Sequence, residues 1–264
     1  MPMNDNAHTL GLMGAKGGVG TTVLATSLAW ALAQRGLRVV MLDLDRHNGQ
    51  AALHLCERNA GPTLREALQA AQRMDDTLLD TLLTPCANGL RLLPAPRAWV
   101  PASAEPTADG AQLLRLVQVA AQLADCVLLD LPAAAMANEA YLPLLRTIDE
   151  VALVSEPTLP ATFNARRAWQ WLQDERHDTH GLEQAGCTFA LNKVQRQHAL
   201  SPEQVWRTLG LEAATPDRRE LPRSDAAVAS ATYQGQALGA LDGREPLARA
   251  VGQWADALAA RWAS

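Results

Sequence analysis

The chain has 264 residues, of which 48% are hydrophobic and 19% charged, and its formal net charge at pH 7 is −5. This composition is typical of a globular protein, and the length suffices for one well-buried α/β domain or two small ones. The acidic balance argues against a protein whose whole surface binds nucleic acid, although it leaves room for a local basic patch.

No targeting or membrane segment is visible in the sequence. Residues 1–6 have neither a basic region nor an apolar core, and no apolar run reaches the roughly 18 residues that a membrane-spanning helix needs. The four cysteines lie far apart without a CxxC spacing, which favours thiols in a reducing compartment over a disulfide or a zinc site. We therefore expect a cytoplasmic protein without a stable membrane anchor.

The first predicted strand, residues 9–14, leads directly into a glycine-rich loop and then a helix. Leu24, Leu28 and Leu32 recur on one face of that helix. Glycines let the backbone curl until successive N–H groups point inward, and the helix N-terminus adds positive charge, so the pattern is typical of a phosphate-binding P-loop. The loop residues predicted to bind nucleotide are Gly14, Ala15, Gly17, Gly18, Val19, Gly20, Thr21 and Thr22.

The placement of lysine distinguishes this loop from an ordinary P-loop. The residue before Thr22, normally lysine, is Thr21, and the usual first glycine is Ala15. A lysine stands instead near the beginning of the loop, Lys16, and the chain has only one other, Lys193, against 21 arginines. The alternative is a flexible glycine-rich turn that contains a lysine by chance, but the flanking strand, the helix and the downstream carboxylates favour a P-loop.

Aspartates mark the ends of two further predicted strands. Strand 38–43 ends at Asp43, and Asp45 would lie on the same side of the sheet if that strand continued. The apolar run 125–130 ends at Asp130, as a Walker B strand does. The carboxyl ends of parallel strands form the ligand-binding edge of such a sheet, where carboxylates hold Mg²⁺ and its waters. We predict that Thr22, Asp43 and Asp130 form the metal site.

The remaining elements continue an α/β pattern. Apolar runs at 89–93, 150–155 and 187–192 are typical of strands covered on both faces, and the segments between strands are mostly long enough for crossover helices. The proline-rich residues 94–110 are predicted to be a surface loop, and 246–262 a C-terminal helix that packs on the domain. The predicted fold is a single-domain α/β P-loop NTPase over residues 1–264, with a short tail at 1–8 and a doubly wound, mainly parallel sheet flanked by helices.

Together, the lysine-led glycine loop and the three strand-end aspartates resemble the deviant Walker A ATPases of the MinD/ParA superfamily. The resemblance implies ATP or ADP with Mg²⁺ as cofactor, and a homodimer that forms around ATP. It implies catalytic roles for Lys16, which would reach the partner's phosphates, and for Asp45, which would position or activate the attacking water. The family's adenine-contacting asparagine and late purine-side loop are matched by Asn192 and by Pro222 and Arg223.

Within the superfamily, the chain looks most like the TadZ/CpaE pilus-assembly group. The phrases that carry this likeness are Asp43-Leu44-Asp45 with Gly49, Asp130-Leu131-Pro132, Glu156-Pro157 and Asn164-Ala165-Arg166-Arg167. The likeness implies a nucleotide-gated protein that positions a Flp/Tad-type pilus or secretion apparatus, through a protein partner at the cell pole or the inner membrane face. Because Thr21 replaces the standard lysine, we expect ATP binding and dimerisation with weak, slow hydrolysis.

Two other functions of the same superfamily stay open at this point. A ParA-like DNA or cargo partition ATPase would need a basic patch, for which the available residues are Arg166, Arg167, Arg218, Arg219 and Arg223. A cellulose-secretion partner shares the Gly-Gly-Val-Gly-Thr-Thr loop, but such relatives tend to lack the pair formed by Asp43 and Asp45. An iron–sulfur reductase is set aside because no cysteine follows Asp130 closely.

Overall fold

The computed structural model describes residues 7–56, 61–98, 109–133, 135–180, 186–197, 200–211 and 218–263, and every side chain in these ranges except those of residues 175–180 and 241. Most of the surface loop predicted over 94–110, at residues 99–108, lies outside the described residues, as do residues 1–6 of the predicted tail. His8, also placed in that tail, is instead the first residue of a strand, because it pairs with Cys126.

The described residues build one eight-stranded sheet. Its strands are β1 His8–Gly14, β2 Val39–Asp43, β3 Thr84–Pro85, β4 Arg91–Leu93, β5 Cys126–Leu131, β6 Glu150–Ser155, β7 Gly186–Val194 and β8 Arg218–Pro222. Their order across the sheet is β3-β4-β2-β5-β1-β6-β7-β8, and the recorded pairs are parallel except for β3 with β4. The carboxyl ends of β1, β2, β5, β6 and β7 therefore face the same edge of the sheet.

Helices cover both faces of the sheet. They are α1 Thr21–Gln34, α2 Ala52–Leu55, α3 Leu64–Gln69, α4 Asp76–Leu82, α5 Gly110–Leu123, α6 Leu142–Thr147, α7 Leu159–His180, α8 Pro202–Leu209, α9 Asp225–Gln234, α10 Leu238–Leu241 and α11 Pro246–Trp262. Alternate residues of the strands point to opposite faces. One apolar cluster therefore joins the sheet to α3–α8, and a second joins it to α1, α2 and α9–α11. This arrangement confirms the predicted doubly wound, mainly parallel α/β fold.

Two edge strands of the sheet were not expected from the sequence. β3 is only two residues long and contains Pro85, while β8 begins with three charged residues and buries only Leu221. Edge strands are covered less completely than central ones, so they lack the continuous apolar run by which the other strands are recognised. Pro222, assigned to a purine-side loop, is the last residue of β8, and Arg223 follows the strand.

The predicted strand at 89–93 starts two residues later than expected, at Arg91. Ala87–Gly89 form a 3-10 turn in which Asn88 and Gly89 have positive φ, and that geometry is incompatible with a strand. The first helix is followed by Gly36, which has φ +88° and whose N–H donates to the carbonyl of Ala33, as is common after a helix C-terminus.

The C-terminal helix α11 has the predicted bounds and packs against α1. Its apolar side buries Val251, Trp254 and Leu258, and the Trp262 ring stacks on His8 of β1 with ring centroids 5.0 Å apart. In the described part of the chain, no helix combines the length and the apolar character needed to span a membrane.

Candidate functional site

The glycine loop between β1 and α1 depends on glycine at two positions. A Cβ on Gly14 would lie 2.6 Å from Thr21 Oγ1 and 2.9 Å from the Lys16 carbonyl oxygen, so the loop closes tightly on itself there. Gly20 has φ +92°, a conformation that other residues adopt at a cost of about 1–2 kcal/mol. Ala15, which replaces the usual first glycine, is buried, and its N–H donates to the Val154 carbonyl of β6 at 2.8 Å. The methyl group is therefore accommodated.

Asn192, near the carboxyl end of β7, supports this loop directly. Its Nδ2 donates to the Val19 carbonyl at 2.8 Å, and a Cβ on Gly20 would approach the same Nδ2 to 2.5 Å. Glycine at position 20 therefore leaves the space that the amide occupies. The other amide atom, Oδ1, is buried and has no hydrogen-bond partner in the described part of the chain. The role of Asn192 in contacting adenine stays a prediction, but its role in bracing the loop is a structural fact.

A carboxylate that sequence reasoning gave no role, Glu156, binds both lysines of the chain. It follows β6, and its Oε1 lies 2.9 Å from Lys16 Nζ while its Oε2 lies 3.1 Å from Lys193 Nζ. Lys16 Nζ also donates to the Gly17 carbonyl, and Lys193 Nζ to the Gly18 carbonyl at 2.5 Å. Burial alone would raise the pKa of Glu156, but the hydrogen bonds from the two lysines lower it below its ordinary value. Both cations are thus engaged beside the P-loop.

Asp43 and Asp130 form the opposite side of the candidate site. Asp43 is the last residue of β2 and Asp130 the penultimate residue of β5, and the two occupy paired positions on these adjacent strands. Both are 1% exposed. Burial raises the pKa of Asp43 to about 7, and burial together with the charge of Asp43 raises the pKa of Asp130 well above its ordinary value. Two buried carboxylates that disfavour each other's charge are suited to a site that receives a cation.

Asp45 lies close to this pair, but not for the reason expected. β2 ends at Asp43, so the condition under which alternation would place both side chains on one side of the strand is not met. The chain turns instead, and Asp45 Oδ1 accepts hydrogen bonds from the Asn48 and His47 N–H groups at 2.9 and 3.3 Å. The charge of Asp45 still raises the pKa of both buried aspartates, which places its carboxylate within electrostatic range.

The residues predicted to hold Mg²⁺ fit that ion chemically. The Thr22 side chain lies near enough to Asp130 to lower the pKa of that carboxyl, against the larger effect of burial, and Asp130 Oδ2 is buried without a partner in the described ranges. Those ranges hold no group of three His, Cys, Asp or Glu side chains that could bind a metal alone. The available donors are therefore one hydroxyl and carboxylate oxygens, which suit a Mg²⁺ that also takes phosphate and water oxygens. Asp43 is more constrained, because its two oxygens already accept the Asp45 and Ala51 N–H groups at 3.3 and 2.9 Å.

Gly49 explains the packing of residues 43–49, which we call the carboxylate turn because they include Asp43 and Asp45. A Cβ at this position would lie 2.4 Å from Asp43 Oδ1 and 2.6 Å from the Asp45 carbonyl oxygen, so any larger residue would displace the aspartates. A cavity of about 960 Å³ opens beside this turn and is lined by Asp43, α2 and the end of α9. Cys56 also lines that cavity, and its Sγ lies 3.0 Å from that of Cys86; both are free thiols.

The purine-side residues lie at the same edge of the sheet. Pro222 pairs with Val194 of β7, and the Arg223 N–H donates to the Val194 carbonyl at 2.9 Å. The exposed Arg223 guanidinium binds Asp225 at 2.6 Å, and that hydrogen bond raises the pKa of the arginine. Glu156 is near enough to add to this effect. The purine-side segment is therefore a neighbour of the lysine cluster, the name used here for Lys16, Lys193 and Glu156.

The arginines considered for a DNA-binding patch do not share one location. Arg218 begins β8, at the amino end of the strand, where it donates to the Leu211 carbonyl and stacks over the Trp206 ring at 5.5 Å. Arg223 follows the other end of the same strand. Arg166 and Arg167 lie on α7, and Arg167 lines a separate cleft of about 310 Å³ beside Ala15. Arg218 and Arg223 thus lie at opposite ends of β8, and Arg166 and Arg167 lie on a different element.

Comparison with known proteins agrees with this geometry. Residues 10–209 match the family described as the CobQ/CobB/MinD/ParA nucleotide binding domain. A comparison with curated proteins gives no match. Among solved structures, a ParA family ATPase from Chlorobium tepidum superposes with a TM-score of 0.82 at 22% identity, covering 95% of this chain and 98% of that one.

Two MinD structures are also similar. The septum site-determining protein MinD of Pyrococcus horikoshii, complexed with Mg-ADP, has a TM-score of 0.74 at 20% identity, and the alignment covers 96% of each chain. The MinC:MinD cell division complex of Aquifex aeolicus gives 0.76 at 20% identity, again over 96% of each chain. At these identities the structures speak for the fold. Because the family match runs from β1 to the end of α8, the chain belongs to the CobQ/CobB/MinD/ParA family of nucleotide-binding domains.

Proposed function

We propose that this protein binds ATP with Mg²⁺, dimerises around the nucleotide and hydrolyses it slowly. The observation that carries the proposal is the convergence of a lysine-led P-loop and two buried, mutually repelling aspartates at one edge of the sheet. The loop offers N–H groups and a helix N-terminus to phosphates, and the aspartates offer oxygens to a cation. Mg-ATP supplies both charges at once. The family relatives named ATPases, and the MinD complexed with Mg-ADP, support this choice of ligand.

In this proposal each predicted residue has a defined task. The backbone of residues 14–22 binds the phosphates, and Thr22, Asp43 and Asp130 hold Mg²⁺, which neutralises phosphate charge. Asp45 positions the attacking water once its turn, now closed on the Asn48 N–H, presents the carboxylate to the phosphates. Asn192, Pro222 and Arg223 contact the purine side. Tight packing of Gly49 against Asp43 keeps the turn that carries Asp45 close to the metal site.

Lys16 connects nucleotide binding with dimerisation. In the isolated subunit its ammonium is bound to Glu156 of the same chain, 2.9 Å away, with 30% of the side chain exposed. A partner's triphosphate would offer it a stronger anion than one carboxylate, so an incoming subunit with ATP can draw it across the interface. Since Thr21 carries no charge where a P-loop normally has lysine, the transition state for phosphoryl transfer is less stabilised and turnover is slow.

The proposed cellular role is to position a protein assembly, a Flp/Tad-type pilus or secretion apparatus, from the cytoplasm at the cell pole or inner membrane face. It rests on the short sequence phrases shared with the TadZ/CpaE group. The MinC:MinD complex shows that a protein of this fold can carry a protein partner. A ParA-like role on DNA is the alternative, and the dispersed arginines weigh against it. A cellulose-secretion role is the further alternative.

The experiment is a mass measurement by light scattering after gel filtration, with and without Mg-ATP. We expect wild type to be monomeric alone, dimeric with Mg-ATP, and monomeric again as ATP is consumed. Asp45→Ala should stay dimeric, because release requires hydrolysis, whereas Lys16→Ala should not dimerise. Arg249→Gln, an exposed charge removal on α11, is the control and should behave as wild type. Wild type that stays monomeric with Mg-ATP, or Lys16→Ala that dimerises normally, would contradict the proposal.

Titration of the Asp45→Ala dimer with duplex DNA at several salt concentrations separates the cellular roles. Phosphate contacts give an affinity that falls steeply with salt. We expect no such binding; a steep slope would favour the partition ATPase.

A further inference from the structure

The two lysines of this chain lie at the same place although arginine is used almost everywhere else. Both ammonium groups contact Glu156, at 2.9 Å for Lys16 and 3.1 Å for Lys193. The chain holds 21 arginines, so its cations are rarely lysine, and both exceptions border the P-loop. Lysine differs from arginine in presenting a compact point charge, which fits the small space beside a phosphate.

The backbone of Lys193 is shaped to direct its side chain at the loop. The pairing of β7 with β8 is irregular between Leu191 and Val194, and Lys193 has φ +58°. A residue with a Cβ adopts this conformation at a cost of about 1–2 kcal/mol. The neighbouring Asn192 ties the same segment to the Val19 carbonyl. Lys193 Nζ consequently reaches 2.5 Å from the Gly18 carbonyl, within the loop itself.

The conventional lysine position offers no charge that could serve instead. Thr21 is half-buried at the start of α1, and its hydroxyl lies against Gly14, where a Cβ would approach it to 2.6 Å. Lys16 is assigned to the partner's phosphates in the dimer. Before dimerisation, neither of these two positions supplies a cation to the phosphates of the same subunit, which leaves room for one more cation beside Mg²⁺.

We propose that Lys193 is that cation: a phosphate-binding residue that supplies, within the same subunit and for nucleotide binding, the charge missing at position 21, while the transition state still lacks the lysine of a conventional P-loop. The inference rests on the proposed nucleotide site. In the free protein the Lys193 ammonium group binds the Glu156 carboxylate. When a nucleoside di- or triphosphate binds, its β- or γ-phosphate takes the place of that carboxylate. Glu156 is thus a resident counter-ion that keeps Lys193 beside the loop until an anion with more charge arrives.

The test measures Mg-ATPγS affinity by calorimetry on the full chain, with a second lysine used as a rescue. Lys193→Gln should weaken binding about 10-fold to 100-fold, the effect of losing one charge-assisted contact. Adding Thr21→Lys, which restores a cation at the conventional position, should recover most of that loss. The same Thr21→Lys change in wild type should gain much less, because Lys193 already supplies the charge. Arg249→Gln controls for net charge and should bind as wild type.

Lys193→Asn guards against misfolding, since asparagine tolerates positive φ better than most residues. Weakened binding that Thr21→Lys rescues supports the inference. Unchanged binding in both position-193 variants overturns it while the proposed function stands. Weakened binding without rescue also overturns it, because Lys193 would then act only by bracing the Gly18 carbonyl. Wild type that does not bind Mg-ATPγS at all overturns the proposed function together with the inference.

Discussion

The candidate site has two sides whose charges are balanced differently. On the loop side, the single Glu156 carboxylate binds the ammonium groups of Lys16 and Lys193 at 2.9 and 3.1 Å, which leaves one positive charge in excess. On the carboxylate side, Asp43 and Asp130 are buried together, and the charge of Asp43 raises the pKa of Asp130. A ligand must therefore displace an ion pair on one side and relieve a repulsion on the other. A cation paired with a polyanion would do both, which is why we propose Mg-ATP as the ligand in preference to either ion alone.

The largest effect should come from removing charge on the carboxylate side. Asp130→Asn should lower Mg-ATP affinity about 100-fold, because Mg²⁺ loses an oxygen anion. The unfolding free energy of the free protein should stay unchanged or rise by about 1 kcal/mol, since one buried charge disappears. Calorimetry and urea unfolding measure the two quantities. Asp125→Asn, just before the amino end of β5, is the control and should bind Mg-ATP as wild type. Lower stability with unchanged affinity would refute this view of the carboxylate side.

Backbone geometry on the loop side can be tested with a pair of alanine substitutions. Gly20→Ala places a Cβ 2.5 Å from Asn192 Nδ2 at φ +92°, so we expect a loss of about 1–3 kcal/mol in unfolding free energy. Mg-ATP affinity should fall about tenfold, because the loop loses its brace. Gly17→Ala meets no atom within 4 Å and is the matched control for stability. Equal melting temperatures for the two variants would contradict the assigned contact.

Glu156→Gln should act in the opposite direction on binding. It releases both lysines from their counter-ion, and we expect Mg-ATP affinity to increase about threefold to tenfold. Stability at pH 7 should fall by about 1 kcal/mol or less, because the three side chains are partly exposed. Glu203→Gln on α8 provides the control. If the substitution weakens Mg-ATP binding, Glu156 is part of the bound state and does not compete with the phosphates.

The smallest predicted effect is a difference in pH dependence between the stability contributed by His54, beside the carboxylate turn, and that contributed by Glu156, on the loop side. Burial of His54 on α2, beside the carboxylate turn, lowers its pKa. A group whose folded pKa is depressed contributes stability above its unfolded value, about 6.5, and that stability is lost as pH falls below it. For Glu156, also depressed, the loss begins only below about 4.3. The unfolding free energy of wild type minus that of His54→Gln should therefore decrease from pH 7.5 to 5.5, while wild type minus Glu156→Gln stays constant. A constant His54 difference together with a decreasing Glu156 difference would contradict the pKa shifts assigned to these two residues.

The sequence predicted the central strands well because they are buried on both faces and read as apolar runs. The edge strands β3 and β8 are not predicted by the sequence, since Pro85 and the charges of Arg218 and Glu220 interrupt the apolar run that marks the other strands. The loop, Thr22 and the two strand-end aspartates were predicted because their positions follow directly from the elements around them. The sequence does not predict a role for Glu156, because its partners are distant along the chain. Lys16 is 140 residues away and Lys193 is 37 residues away. The scarcity of lysine was the one signal that could have pointed to the cluster.

Calorimetric titration of the wild-type chain with ATP, in the presence and absence of Mg²⁺, tests the central claim most directly. The account predicts one nucleotide per subunit, with an affinity that rises when Mg²⁺ is present, because the carboxylate side needs the cation as the loop side needs the phosphates. No heat of binding for ATP or ADP with Mg²⁺ present would contradict the account.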